Sequence, residues 1–254
     1  MRRLFSLLLV GLALLFMFSV GIGTASAAEI RVLSANPVSE GLKHIAEQFK
    51  RDTGHEVKVE VPAGAELNRI LASEEPADVL ISVPATVDEA VKGGKVVGAK
   101  TGIGRVGIGV VVRRGAAAPN VATSDAIKQA VLTAEGVVYN TAASGQYVHS
   151  MLEQMGVTEQ IKAKSARPGN GAQTMERMIA GKGNEVGFGL LSEIKPFEDK
   201  GARFVGRLPD NVQNYTLYDG VVLSRSKSVD VARQFISYLS TPSAKQAFAA
   251  SGVD

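Results

Sequence analysis

The chain of 254 residues contains no cysteine. Disulfides, thiolate metal sites and a lipid-modified cysteine are therefore excluded. Histidine is scarce as well, at three residues. His44, His55 and His149 do not stand at i, i+4 spacing, and H-E-x-x-H is absent, so no zinc site assembles from sequence. No long basic run occurs. The formal net charge is +3, and it falls to about +1 once Arg2 and Arg3 are set aside with the leader described below. Such a charge gives no footprint for DNA or RNA. The G-x-S-x-G elbow of a hydrolase is missing, because Ala143-Ser144-Gly145 lacks the leading glycine. There is no internal repeat, low-complexity segment or Pro- or Ser-rich linker. No metal, cofactor or nucleic acid is expected, and a monomer is.

What is present begins with a leader. Met1-Arg2-Arg3 precedes an uncharged, mainly apolar run from Leu4 to Val20, then Ala25-Ser26-Ala27. A positive start, an apolar middle and small residues before a cleavage point form a secretory signal. The apolar run is about 17 residues, the low end for spanning a bilayer core. The sequence predicts cleavage after Ala27 and a destination outside the cytoplasm. With neither lipid nor anchor, the protein would diffuse away unless a periplasm confined it. The remaining residues, 28–254, suffice for one large domain or two small ones.

Residues 29–34 read as a strand, and Val38, Leu42, Ile45, Ala46 and Phe49 as one helical stripe closed by Gly54. A strand at 56–61, a helix around Leu67–Leu71, a strand at 78–82 and a helix at 87–91 follow. This alternation predicts an α/β fold with a largely parallel sheet, whose strand ends are where ligands bind. Val106–Val112 is a long apolar strand, after which a second α/β series starts. Its strands fall at 137–139 and 186–190, and its helices at 126–132, 148–155 and 175–179. A late strand covers 214–222. Helices at 231–239 and after Thr241-Pro242 end the chain. Two series without a linker imply two lobes joined by a two-strand hinge, able to close on a ligand. The crossings fall near Val106–Val110 and Tyr215–Val222. We place the first lobe at 28–107 and 216–254 and the second at 108–215.

Three strand-to-helix loops carry the candidate chemistry: Ser34-Ala35-Asn36-Pro37, Ala63-Gly64-Ala65 and Asn140 to Gly145, with Ser144. Each puts unpaired N–H groups and a helix start at a strand end, which suits an anion. Small residues let a ligand approach the backbone. For each loop, an ordinary turn is the competing reading. Arg167, with Asn170 and Gly171 in the turn that follows, could grip a carboxylate, as could Arg69. A solvated arginine is the plainer reading of both. Tyr139 and Tyr147 could each offer a hydroxyl, although packing tyrosines are common. His149 also reads as a surface residue. Gly102-Ile103-Gly104-Arg105-Val106-Gly107 matches G-x-G-x-x-G by letter only. It leads into a strand and not a helix, and so reads as a flexible entry to the crossing strand.

The ordered series Ile30-Arg31-Val32-Leu33-Ser34-Ala35, the helix from Gly41 to Phe49, Pro76 to Ser82, Ser144-Gly145 and Val186-Gly187-Phe188-Gly189 resembles the molybdate-binding protein family. These are periplasmic type II solute-binding proteins of ABC transporters. The resemblance spans the mature chain. It implies two hinged α/β lobes, a small anion as ligand and a transporter membrane component as partner. It also implies serine hydroxyls in the first two loops and a tyrosine after the Gly187 strand. Here Pro37, Gly64-Ala65 and Leu190 stand in those places. A buried oxyanion would thereby lose charge-assisted bonds worth about 1.5–3 kcal/mol each. The same broad family is similar to periplasmic aconitate isomerase. That implies a second function, an isomerase with Glu66, Tyr139 or His149 as base and Arg69, Arg167 and the loop amides on the carboxylates.

Overall fold

The computed structural model describes residues 27–254. The leader predicted for 1–27 thus lies, apart from Ala27, outside the described residues. No helix among those residues is long and apolar enough to cross a membrane.

The chain opens with β1 (Glu29–Ser34), α1 (Asn36–Thr53), β2 (Glu56–Glu60), α2 (Gly64–Ala72), β3 (Val79–Ser82) and α3 (Pro84–Lys92). The long β4 (Val96–Arg113) follows, then α4 (Ser124–Thr133), β5 (Gly136–Val138), α5 (Ala143–Gln154) and the short α6 (Thr158–Ile161). Next come β6 (Ser165–Ala166), α7 (Gly171–Ala180), β7 (Glu185–Leu190), α8 (Leu191–Ile194) and β8 (Ala202–Arg207). The chain closes with β9 (Tyr215–Leu223), α9 (Val229–Tyr238) and α10 (Pro242–Ala250).

Local chemistry explains the boundaries. The stripe from Val38 to Phe49 is buried along α1. Gly54 ends that helix at φ 77°, a left-handed conformation, and returns its N–H to the Lys50 carbonyl. Thr241 caps α10 by accepting from the Ala244 N–H, with Pro242 in the first turn.

β1 runs parallel to β2 and β3, and β5 runs parallel to β6 and β7. The joining strands are antiparallel: β9 lies between β3 and β4, and β4 pairs with both β7 and β8. The sheet is therefore mixed and not largely parallel, because the chain crosses between the two halves on strands that run against their neighbours. β4 changes partners within its length. Up to Gly107 it pairs with β9, and from Ile108 onward with β7 and β8. Gly102–Gly107 is not a flexible entry either. It lies inside β4 and pairs with β9, with register shifts at 97/101 and 102/104. Gly104 fits there because a Cβ would lie 2.7 Å from Val253 and 3.0 Å from the Asp254 carbonyl. Strands β6 and β8 are additions to the sequence reading.

The side chain of Gln213 sits where β4 switches sheets. Its Oε1 accepts from the Ile108 N–H at 2.8 Å, and its Nε2 donates to the Ile108 and Leu208 carbonyls at 3.0 and 3.2 Å. A carboxamide thus supplies the bonds that a neighbouring strand would give.

Candidate functional site

Because β1, β2 and β3 are parallel, Ser34, Glu60 and Ser82 finish at one edge. Ala35 and Ala63, the residues before α1 and α2, carry no side-chain acceptor, and neither helix start has a side-chain cap among the described residues. At α1, Pro37 occupies the first turn and contributes no N–H. The Ala35 N–H itself is used, donating to the Ile81 carbonyl at 2.8 Å. Ser34 is buried and its hydroxyl donates to the Ala35 carbonyl at 2.9 Å, while Asn36 is exposed. Gly64 and Ala65 open α2 in an exposed stretch, and a Cβ on Gly64 would meet nothing within 4 Å.

Glu66 and Arg69 engage each other. Arg69 Nη2 lies 2.6 Å from Glu66 and 3.1 Å from Glu75, and Glu75 also meets Arg31. The bond to Arg69 holds the Glu66 carboxyl below the usual range, and Glu66 and then Glu75 push the Arg69 guanidinium up. Glu66 is thus ionised and already partnered, which makes it a weak base.

The second sheet offers a matching edge after β5, β6 and β7. Asn140, 1% exposed, accepts from the Gly145 N–H at 3.0 Å and donates to the Ser144 hydroxyl at 3.3 Å. Gly145 is obligatory, since a Cβ would fall 1.8 Å from the Asn140 carbonyl oxygen. The residue before α5 is Ala142, and it provides no side-chain cap. The N–H groups of Ala143 and Ser144 therefore face the strand end without a cap. The Thr141 N–H donates to the Pro168 carbonyl at 2.8 Å, tying this loop to the one before α7. There Asn170 caps the helix through the Gln173 N–H at 3.0 Å. The Tyr147 hydroxyl donates to the Val212 carbonyl at 3.1 Å.

Tyr139, His149 and Arg167 form a separate group. The Tyr139 hydroxyl lies 3.1 Å from His149 Nδ1, and the Arg167 guanidinium sits 5.1 Å above the Tyr139 ring. All three line a cavity of about 440 Å³, with Glu153, Lys162 and Ser165 among its other walls. Every wall of that cavity comes from residues between 139 and 167, so it is a flank pocket of the second sheet. Burial pushes the Tyr139 phenol up, Arg167 opposing.

Four residues escaped the sequence reading. Gln213 is the first. The others are Ser192, Glu193 and Tyr218. Glu193 is the third residue of α8, which follows β7 directly, and its carboxylate accepts from the Leu190 N–H at 3.3 Å. Burial pushes this carboxyl above the ordinary carboxylate range, against the pull of the Leu190 N–H. Its atoms lie 2.1–2.4 Å from where a Cβ on Gly171 would sit, so the missing side chain at 171 makes its space. The Ser192 hydroxyl is buried without a partner. Tyr218 on β9 is 2% exposed, and its hydroxyl has no hydrogen-bond partner among the described residues. Its phenol is pushed up by burial and then by the charge of Glu193. Here α8 packs against α1, and Gly252 presses on Leu191 and Ser192. A glutamate three residues into a run following Val186–Leu190 was the available signal for Glu193.

Two α/β halves joined by antiparallel crossing strands, with helix starts gathered at parallel strand ends, define the type II periplasmic binding fold. The family model for bacterial extracellular solute-binding protein matches residues 30–254, and the chain belongs to that family. It is 31% identical over 234 residues to an aconitate isomerase from Pseudomonas sp., covering 88% of this chain and 87% of the relative. It is 27% identical over 237 residues to the molybdate-binding protein ModA of Azotobacter vinelandii, covering 90% of each. A substrate-binding domain from Clostridium difficile assigned to a molybdenum ABC transporter superposes with a TM-score of 0.76 at 17% identity, covering 90% of this chain and 99% of that one.

Proposed function

We propose that the mature chain works in the periplasm, holding a small organic polycarboxylate between its two lobes. The lobes are 28–107 with 216–254, and 108–215; the change of partners along β4 between Gly107 and Ile108 supports that division. One observation carries the proposal. The starts of α1, α2 and α5 all follow parallel strands, and in none does the residue before the helix supply a side-chain cap; in α5 only the Gly145 N–H is taken, by Asn140, leaving main-chain donors and helix dipoles for an anion. The ligand set is Ser34–Pro37, Gly64, Ala65, Asn140, Ser144, Gly145, Asn170 and Gly171. A carboxylate suits this set better than molybdate. The Ser34 hydroxyl is spent on a carbonyl, and the Ser144 hydroxyl, which accepts from Asn140, is the one hydroxyl of this set left to donate, too few for a tetrahedral oxyanion. As a solute-binding protein it would hand its guest to an ABC transporter.

A second reading, isomerisation of cis- and trans-aconitate, is favoured by the 31% identical relative and by the Glu193 carboxyl, which burial raises above its ordinary range beside the start of α7. Calorimetric titration with cis-aconitate, trans-aconitate, citrate, molybdate and sulfate tests the first reading. The expected result is binding of the tricarboxylates with little or no heat from molybdate; saturating binding of molybdate alone overturns it. Ultraviolet absorbance of each aconitate isomer incubated with the protein tests the second, which fails if neither isomer converts.

A further inference from the structure

Two carboxyls at strand ends, the buried Asp78 and the partly buried Glu193, have different surroundings. Asp78, 9% exposed, accepts from the Arg31 N–H at 2.7 Å and the Ser226 hydroxyl at 2.6 Å. These are short, charge-assisted bonds, and they account for its burial. Glu193 has one bond, at 3.3 Å. Next to it in sequence is a buried hydroxyl with no partner, Ser192 Oγ, and the buried Tyr218 phenol feels its charge. A buried polar atom without a partner, such as Ser192 Oγ, calls for a physical explanation, and a functional site is one.

The position is informative as well. Glu193 stands against Gly171, where α7 begins, at the same strand ends as Asn140–Gly145. α8, which carries this carboxyl, packs against both α7 and α1, one helix from each half. Tyr218 approaches from β9, the returning crossing strand. A carboxyl from the second half and a phenol from the returning strand are thus close enough for the charge of one to act on the other.

We propose that Glu193 is the catalytic residue that carries the migrating proton between the two aconitate isomers, an inference that rests on the isomerase reading above. The Glu193 carboxylate takes a proton from the methylene carbon of the bound tricarboxylate. The electron pair of that C–H bond becomes the new C=C bond to the central carbon. The pair of the old double bond passes to the far carbon, which takes the proton back from the Glu193 carboxylic acid. One proton moves, one double bond shifts by one carbon, and no oxidant or reductant is needed. During the transfer, negative charge spreads onto the guest's carboxylates, where the free N–H groups of α1, α2 and α5 stabilise it. A desolvated carboxylate is also a stronger base than one in water.

The test compares wild type with Glu193→Gln and Glu193→Asp. Three readouts are needed: binding of trans-aconitate by calorimetry, conversion by absorbance, and solvent deuterium entering the methylene position by NMR. Glu193→Gln should bind within about threefold of wild type, yet lose conversion and deuterium entry by about 100-fold or more, the scale of one general base. Glu193→Asp, which keeps the carboxyl but draws it back, should convert at an intermediate rate. Thermal unfolding of each variant separates a folding defect from a chemical one. If Glu193→Gln does not fold, Glu193→Asp decides. A lowered melting temperature with wild-type turnover means that the carboxyl only supports the loop, and this overturns the proposal. Conversion by Glu193→Gln near the wild-type rate overturns it while leaving the isomerase reading intact. A wild type that binds aconitate without converting it ends both, with anion capture still standing.

Discussion

The strand ends of the first sheet and those of the second share a geometry and differ in what they bring to it. After β1 and β2, the loops are small and uncapped, the second of them exposed, and the nearby charged side chains are spent on one another. Arg69, Glu66, Glu75 and Arg31 form a closed surface network. The first sheet therefore offers main-chain donors and little else. After β5, β6 and β7, the loops are knotted by Asn140, Asn170 and the Thr141–Pro168 bond, and the partly buried Glu193 carboxyl stands beside the start of α7. The difference suggests a division of labour in which one edge grips and the other holds the reactive group. It also explains why uncapped helix starts alone do not distinguish a binder from an enzyme.

The sharpest way to probe this contrast is a pair of glycines. Gly145→Ala should cost about 3 kcal/mol, because its Cβ would enter the Asn140 carbonyl and overpacking of a closed site is expensive. Gly64→Ala in the first sheet meets open space and should leave stability unchanged or raise it by up to about 1 kcal/mol. Urea unfolding measures both, and equal effects would erase the distinction between a knotted edge and an open one.

Asp78→Ala comes next. It strands the Arg31 N–H and the Ser226 hydroxyl, and should cost about 2 kcal/mol of stability, with aconitate turnover per folded molecule unchanged. A turnover defect in that variant would mean that Asp78 and Glu193 are not the opposites described above.

A smaller effect concerns pH. The folded Glu193 carboxyl is raised above its ordinary 4.5, so between that value and the raised one the folded state binds more protons than the unfolded state. Its contribution to stability is fully present below the ordinary value and fades as pH rises through the raised one. Relative to Glu193→Gln, wild type should lose melting temperature as pH climbs through that window. The opposite slope would show the carboxyl to be held ionised. Smallest of all, Arg69→Ala should leave both stability and aconitate affinity within measurement scatter. A tenfold loss of affinity would put Arg69 on the guest and return charged grip to the first edge.

Much of the architecture was legible in the chain. The α1 stripe, the Gly54 stop, the Thr241-Pro242 start and the alternation of strands and helices follow from periodicity and capping, which act over a few residues. The antiparallel joining strands were not, since pairing direction depends on contacts more than a hundred residues apart, such as Ile108 with Gln213. The glycine run at 102–107 misled because absent side chains suit a packed strand as well as a loose one. At the candidate site, small loops and free amides could be foreseen from residue type. The separation of Tyr139, His149 and Arg167 from Asn140 and Ser144 could not, because neighbours on a strand face opposite ways. Glu193 and Tyr218 were invisible for a related reason. Their interest lies in their desolvation and mutual charge, which only the folded chain creates.

The Gln213 carboxamide has a mechanical consequence. By gripping Ile108 through both its N–H and its carbonyl, and Leu208 as well, it pins outbound and homeward chain at one point. Shear or splaying would have to break several bonds at once, whereas swivelling about that pin need break none. Whatever travel the halves possess should then resemble a jaw on a single axle, and loosening the pin with Gln213→Ala should blur the path of closing before it weakens the bite.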